Sequence, residues 1–518
     1  MSDAATTAAR GTSAFIAQAA MTGLLRVLNL AILTRLLIQA EIGQIAFLGI
    51  IYGFMQFLGA LGLNHAAPLV VPEEEARGSI GRVKSFLKRA VAIILISSSA
   101  MVVLVFLLSP LLFATSIVSS DLIGLALIIA PFSALETFLD SFLLARYSVK
   151  HLAGGRIVFD IARILGTVGL VLSGMGVQGV MIGWLVAEIV AVIVFGSASM
   201  RGLNVKSISL EMAPVLAFAL PNLAFQTIDV TIQNTDRIIL LYLTDLAALG
   251  VFDVILRILY MLSLVSLTIA SSIYPILTRI RVSLENEGED WGHEMGNVIT
   301  NLVRYILILL LPIAVIAALN SFIVLDVLFG VSYATYANAS LSFAILVLSY
   351  ALWGVIHAIH TTLRSMGEAK FFIIAGLGVI AFEMVGAWYF ISWFGLLGSA
   401  IIRSLYVVLL FIASWGRLRQ RGVMGLGAIG ASVLRIGLAS LIAGSLILIV
   451  KPIGVIALLF WVLSGAALYF LLLFVFREAR ILDFQIARSV LPRRLHGVVN
   501  RIEQAYLGNA HKPADSDE

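Results

Sequence analysis

The sequence predicts an all-α integral membrane protein of about fourteen transmembrane helices, built as two pseudo-symmetric six-helix lobes plus two C-terminal helices. Three observations carry this expectation. Hydrophobic residues make up 61% of the 518-residue chain and charged residues only 12%, where a soluble domain carries about 25% charged. Apolar runs follow one another almost end to end, each near the ~20 residues that cross ~30 Å of hydrocarbon as a helix. Basic residues gather in every second connection, the asymmetry that orients membrane helices.

Taken in order, polar Met1 to Thr12 leads into a first apolar run, 13–37, too long for a signal-peptide core and with no clear cleavage site. The remaining spans are expected at 43–66, 86–113, 121–145, 154–174, 177–199, 209–234, 247–275, 298–326, 338–363, 370–392, 395–415, 427–450 and 453–476. Pro131, Pro221 and Pro312 lie inside spans, which membrane helices tolerate because neighbouring helices and water satisfy the freed backbone groups. Arg77, Arg82, Lys84, Lys88 and Arg89 surround the second connection, Arg146, Lys150 and Arg156 the fourth, and Arg201 and Lys206 the sixth. The same bias continues with Arg279 and Arg281 at the eighth, Arg364 and Lys370 at the tenth, and Arg417, Arg419 and Arg421 at the twelfth. The intervening loops carry only Arg35, Arg237 and Lys451. Both termini are then expected in the cytoplasm and the protein in the cytoplasmic membrane, an arrangement that needs an even number of spans.

The net charge of +5 is explained by these loops, so no nucleic-acid partner is expected. There is no cysteine, hence no disulfide framework and no thiolate chemistry. No phosphate-cradling Gly-x4-Gly-Lys-Ser/Thr loop appears, and no cofactor or metal is expected. The tail from Arg477 is basic and partly amphipathic, a pattern suited to an anionic leaflet surface, and the residues after Gly508 read as disordered.

Two blocks repeat. Thr34-Arg35-Leu36-Leu37 lies beside Asp236-Arg237-Ile238-Ile239; Gly43 and Pro68 match Gly250 and Pro275; Arg146, Lys150 and Gly176-Val-Gln-Gly179 match Arg364, Lys370 and Gly395-Leu-Leu-Gly398. Repeats of the same orientation imply a pseudo-two-fold axis along the membrane normal. The expected organisation is an N-terminal lobe at 1–205, a C-terminal lobe at 206–422, two further spans at 423–476 and a basic tail at 477–518.

A charge at mid-membrane is costly and is kept where a partner or a wet cavity meets it. Arg26 near the middle of span one and Arg257 about three turns into span eight are the leading candidates for cavity cations. Arg163, three residues after Asp160, reads as an internally neutralised pair or a further cavity cation, and Arg435 is placed at the cavity's lipid-facing periphery. Arg304, near the end of span nine, is expected to snorkel to the interface. Guanidinium stays charged when partly desolvated and grips phosphate through paired hydrogen bonds, so this set suits a phosphate-bearing head group. Glu136, Asp140, Asp160, Asp229, Asp253 and Glu383 are candidates for ion coupling or for pairing with those arginines. His357 and His360, one turn apart, titrate near neutral pH when unperturbed, though a satisfied packing pair is the alternative.

With fourteen spans, two halves, and the stretch Asn234-Thr-Asp236-Arg237-Ile-Ile-Leu followed by Leu249-Gly250-Val-Phe-Asp253, the chain resembles the polysaccharide flippases of the multidrug/oligosaccharidyl-lipid/polysaccharide flippase superfamily. The resemblance implies outward movement of polyprenyl-(pyro)phosphate-linked sugars by alternating access, with membrane lipids and the pathway's glycosyltransferases or polymerase as partners. By position, Arg26 and Arg257 would serve as the arginines that related lipid II flippases use, and spans thirteen and fourteen would hold the lipid tail. A cation-coupled multidrug exporter of the same superfamily and a membrane polymerase or ligase are the alternatives.

Overall fold

The computed structural model describes residues 21–112, 118–146, 148–287, 291–423, 429–447, 455–478, 480, 483, 484, 488 and 493–507. The expectations for Met1 to Thr12, the start of span one and the residues after Gly508 lie outside these. All regular structure among the described residues is helical. The helices are α1 (21–36), α2 (Gln39–Ala60), α3 (Leu63–Ala76), α4 (Ile80–Leu112), α5 (Ser120–Ala145), α6 (Val149–Leu170), α7 (Gly176–Met200), α8 (Met212–Leu243) and α9 (Leu246–Glu287). They continue with α10 (Trp291–Leu319), α11 (Ser321–Phe329), α12 (Val331–Thr335), α13 (Ala339–Ser365), α14 (Ala369–Phe394), α15 (Leu396–Gln420), α16 (Gly430–Ile447), α17 (Val455–Val475) and α18 (Arg493–Leu507). Among the described residues ten stretches are long and apolar enough to cross a membrane, and Gly430–Ser445 and Leu463–Val475 are shorter apolar helices. One of the ten, Lys150–Met200, holds both α6 and α7, joined by a short π turn at Val171–Met175. With these two counted separately and α1 included, the helices match the expected fourteen-span, all-α membrane fold.

Some boundaries differ from the sequence reading. Span two is not one helix: it breaks where Leu61 (φ 49°) and Gly62 (φ 72°) take left-handed conformations. A Cβ on Gly62 would stand 2.9 Å from the Ala219 carbonyl carbon, so the break lets α8 approach the backbone there. Span nine ends at Leu319, and the stretch after it forms α11 and α12. Helix α9 has 42 residues, or about 63 Å, roughly twice the hydrocarbon thickness.

The chain gathers into two compact units, one of Met1–Met261, Phe322–Leu346 and Glu368–Leu410, the other of Leu262–Ser321, Val347–Gly367 and Phe411–Glu518. In the first, the even connections knit together: Arg146 Nε donates to Glu75 at 2.8 Å, Lys84 to the Val205 carbonyl at 2.9 Å, and Arg89 to the Leu210 carbonyl at 2.6 Å. Beneath them, Phe86, Phe138 and Phe142 form a fully buried ring cluster. Odd connections meet at the opposite end of the same helices: Arg35 donates to the Val327 carbonyl at 2.8 Å, Gln39 to the Ser332 carbonyl at 2.7 Å, and Tyr336 to Asp245 at 3.4 Å. Within this unit the second, fourth and sixth connections therefore share one end and the first, seventh and ninth the other, as alternating spans require.

The repeat is visible in backbone contacts. A Cβ on Gly43 would lie 2.7 Å from the Leu246 carbonyl carbon, and one on Gly250 2.7 Å from the Gly43 amide nitrogen and 3.2 Å from the Gln39 carbonyl carbon. Gly43 and Gly250 are repeat mates, and so are Gln39 and Leu246, the first residues of α2 and α9. The two helix starts thus cross reciprocally, as a local two-fold axis demands. Gly176 (φ 51°, ψ −134°) and Gly395 (φ 54°, ψ −127°) share a conformation barred to residues with a Cβ, each at the turn of a helical hairpin. One proposed match fails. Thr34-Arg35 stands at the end of α1, whereas Asp236-Arg237 lies inside α8, well before its end at Leu243. Arg237 is consequently not a loop residue.

The second unit packs α10 against α16 and α16 against α17. Arg304 on α10 does not snorkel; its side chain is 1% exposed. It binds the segment after α17, donating to Glu478 at 2.8 Å and to the two Asp483 oxygens at 2.9 and 2.7 Å. Burial tends to raise the Asp483 pKa, but the bonds from Arg304, Tyr305 and the Arg480 amide outweigh it and hold this carboxyl below the usual range. At the end of α17, Phe474 stacks edge-on against Tyr506 of α18 with centroids 5.2 Å apart, which ties the amphipathic helix to the last span.

Candidate functional site

Among the described residues, charged side chains within the spans of the first unit form two clusters. The first is built by α1, α5, α6 and α7. Arg26 Nε approaches Asp160 Oδ1 at 3.4 Å; Asp160 is 2% exposed while the Arg26 side chain is 56% exposed. The other Asp160 oxygen has no hydrogen-bond partner. One turn earlier on α6, Arg156 forms a two-pronged pair with Asp140, both bonds 2.7 Å. Glu136 precedes Asp140 by one turn on α5, accepts from Thr137 at 3.3 Å, and stands within electrostatic reach of Glu188, Arg156 and Arg26. On α7, Glu188 is buried with one oxygen unpartnered. Arg163 stacks over Trp184, its guanidinium carbon 4.4 Å from the ring centroid. The cluster can therefore present a partly exposed guanidinium beside carboxylates whose hydrogen-bonding capacity is not used up.

The expected Asp160–Arg163 pair is thus replaced by Asp160–Arg26 across two helices. Three contributors escaped the sequence reading. Arg156 reads as a connection residue because two other basic residues, Arg146 and Lys150, stand just before it. Glu188 and Trp184 sit in the middle of span six, and a lone acid at mid-span was a usable signal for Glu188.

The second cluster is built by α8, α9, α14 and α15. Arg257 Nε donates to Asp253 at 2.5 Å, one turn back, and its side chain is 40% exposed. Asp253 also pairs with Arg237, which donates to Asn234 at 3.0 Å. Arg403 of α15 grips Asp236 of α8 by two bonds, 2.7 and 2.6 Å, and caps the Gln233 carbonyl at 2.9 Å. Glu383 of α14 is fully buried beside this pair. Asp229 is exposed and accepts from Gln233 at 2.8 Å. No local spacing marks Asp236 and Arg403 as partners, since 167 residues separate them in the chain.

The two leading arginines occupy one level. Helices α1 and α9 meet where Met261 Cε lies 2.8 Å from the place of a Gly23 Cβ. Arg26 is one turn beyond Gly23 and Arg257 one turn before Met261; in antiparallel helices these displacements run the same way.

Arg435, His357 and His360 lie in the second unit. Arg435 is half-exposed and reaches Glu478 and the Arg477 carbonyl, both at 3.4 Å, which joins it to the tail. His357 bonds the Ser266 hydroxyl at 2.9 Å and His360 the Ser414 hydroxyl at 3.0 Å. The histidines serve different neighbouring helices, as a packing role requires. Among the described residues no group of three His, Asp or Glu is arranged to hold a metal ion.

A family model described as polysaccharide biosynthesis protein matches residues 32–338. No curated protein sequence matches the chain. Among solved structures, the lipid II flippase MurJ in an inward closed conformation superposes with a TM-score of 0.70 at 14% identity, covering 90% of this chain and 98% of that one. An inward-facing multidrug resistance MATE family transporter of the MOP superfamily gives 0.65 at 12% identity, covering 77% and 95%. The Vibrio cholerae MATE transporter VcmN gives 0.53 at 16% identity, covering 79% and 98%. These likenesses establish the fold.

Proposed function

The chain belongs to the polysaccharide biosynthesis protein family, and from that premise we propose that it flips a polyprenyl-(pyro)phosphate-linked oligosaccharide outward across the cytoplasmic membrane by alternating access. Both termini are then cytoplasmic, and residues 1–205 and 206–422 are the moving lobes. It acts as a transporter and not as an enzyme, in a pathway whose glycosyltransferases or polymerase make and use its cargo.

The observation that carries this reading is Arg26. A guanidinium near mid-span is half-exposed, and its ion pair among the described residues is a 3.4 Å contact with Asp160. A strong fork-to-fork pair, such as Arg403–Asp236, leaves no capacity for a ligand; a loose one can exchange Asp160 for a phosphate oxygen. Arg257, at the same level, is held more tightly by Asp253 and lends positive potential more readily than a new bond. The sugar would travel through the polar interior while the prenyl chain stays in lipid. An inside-negative potential favours outward movement of each net negative charge by about 2.3 kcal/mol per 100 mV.

The test is flipping of a fluorescent polyprenyl-pyrophosphate sugar in proteoliposomes. Arg26→Ala loses at least about tenfold in rate, the scale of one charge-assisted bond, with unchanged expression; an unchanged rate rejects the assignment. A cation-coupled exporter is the second reading, favoured by four carboxylates (Glu136, Asp140, Asp160 and Glu188) standing with three arginines in the first cluster. Drug efflux by the purified protein without lipid-linked sugar transport would select it.

A further inference from the structure

Among the described residues of the membrane-spanning region, Glu383 is a buried acid with both carboxyl oxygens unpartnered. It lies near the middle of α14 and is 0% exposed. The sequence places it there by helical spacing. Gly376, Val379, Glu383, Gly386 and Ala387 share one face of α14. Val379 and Ala387 on that face are buried, Gly376 lies against Ile228 of α8, and Gly386 has its Cβ position 3.2 Å from Ile402 Cγ1 of α15. Glu383 is therefore sealed between α8 and α15.

The charged groups facing it are Asp236 from α8 and Arg403 from α15. Arg403 is already bound to Asp236 through 2.7 and 2.6 Å bonds. One guanidinium thus stands against two carboxylates, and its geometry serves Asp236. An ionised Glu383 would be a second anion, buried without a donor, where desolvation strongly opposes charge.

We propose that Glu383 is a proton-binding site: it carries its carboxyl proton while Asp236 holds Arg403, and loss of that proton transfers Arg403 from Asp236 to Glu383. The proton departs to water and no covalent bond other than O–H is broken. The transfer loosens α15 from α8, because the Arg403–Asp236 clasp joins these two helices. This deepens the transport reading by naming a proton as the coupling ion, but the protonation itself stands without any transported substrate.

Infrared difference spectroscopy of the purified full-length protein in lipid nanodiscs, at neutral pH and without substrate, tests it. The wild type has a protonated-carboxyl carbonyl band that Glu383→Gln lacks. Asp236→Asn, which frees Arg403 to pair with Glu383, loses the same band although Glu383 is untouched. Equal bands in wild type and Glu383→Gln would show an ionised, or cation-bound, Glu383 and overturn the proposal. A band that persists in Asp236→Asn would overturn the transfer of Arg403. Should Glu383→Gln fail to fold, the comparison of wild type with Asp236→Asn decides by itself. Failure of the flipping assay leaves all of these bands unaffected, so the two readings fall separately.

Discussion

Substituting Gly43 by alanine tests the two-fold contact at the start of α2 and α9. The added Cβ would stand 2.7 Å from the Leu246 carbonyl carbon, with the carbonyl oxygen nearer still, where ordinary contact begins at 3.4 Å. Relieving the carbon contact alone parts the backbones by about 0.7 Å and the nearer oxygen demands more; overpacking of this kind costs about 1–3 kcal/mol. Gly250→Ala meets the same separation, 2.7 Å from the Gly43 amide, and costs a similar amount. The double variant is the informative one. Once the helices have parted for one methyl, the second enters space already opened, so the pair costs less than the sum by about 0.5–3 kcal/mol. Gly53, also on α2, has nothing within 4 Å of its Cβ position and serves as control: Gly53→Ala gains about 0.4–1 kcal/mol through reduced freedom of the unfolded chain. Stability is read from denaturant unfolding of the purified protein in detergent by circular dichroism. Strictly additive costs, or a Gly43→Ala as harmless as Gly53→Ala, would refute the reciprocal crossing.

Two further predictions concern the tail. Arg304→Met leaves Glu478 and Asp483 as carboxylates without their buried partner and lowers stability by about 3–5 kcal/mol, with protease cleavage appearing after Phe476 in a limited digest. The folded Asp483 carboxyl has its pKa below the ordinary value of about 3.9, so its contribution is complete above that pH and is lost as pH falls through the lower, folded value. Acid release of the tail, followed by hydrogen exchange at α18, therefore occurs below about pH 4, and Asp483→Asn abolishes this acid step.

Much of this architecture is readable from composition. Spans, alternation and repeat follow from apolar run length, loop charge and the spacing of glycines, because a bilayer imposes the same demand on every crossing segment. Gly43 with Gly250 and Gly176 with Gly395 were legible because a close backbone approach or a positive φ accepts no side chain. The break at Leu61 and Gly62 was less so: an apolar run looks alike whether its helix is whole or interrupted, and the reason for the break is the Ala219 backbone, far off in sequence.

The charged residues divide along the same line. Their presence at mid-span could be seen in the chain for Arg26, Arg257, Asp160 and Glu383, since hydrocarbon makes any such residue conspicuous. Their partners could not. Local spacing suggested Asp160 with Arg163, yet Asp160 turns to Arg26, and Arg163 lies on Trp184; only Arg257 kept the partner one turn away. Arg304 looked like an interface residue until the segment after α17 was seen folded back upon it. The sequence by itself determined how many helices cross and which of them carry charge, because burial in lipid acts on each segment separately. Which charges pair, which stay open and which is left with no partner was decided by tertiary structure, because a salt bridge depends on the distance between helices that no periodicity encodes.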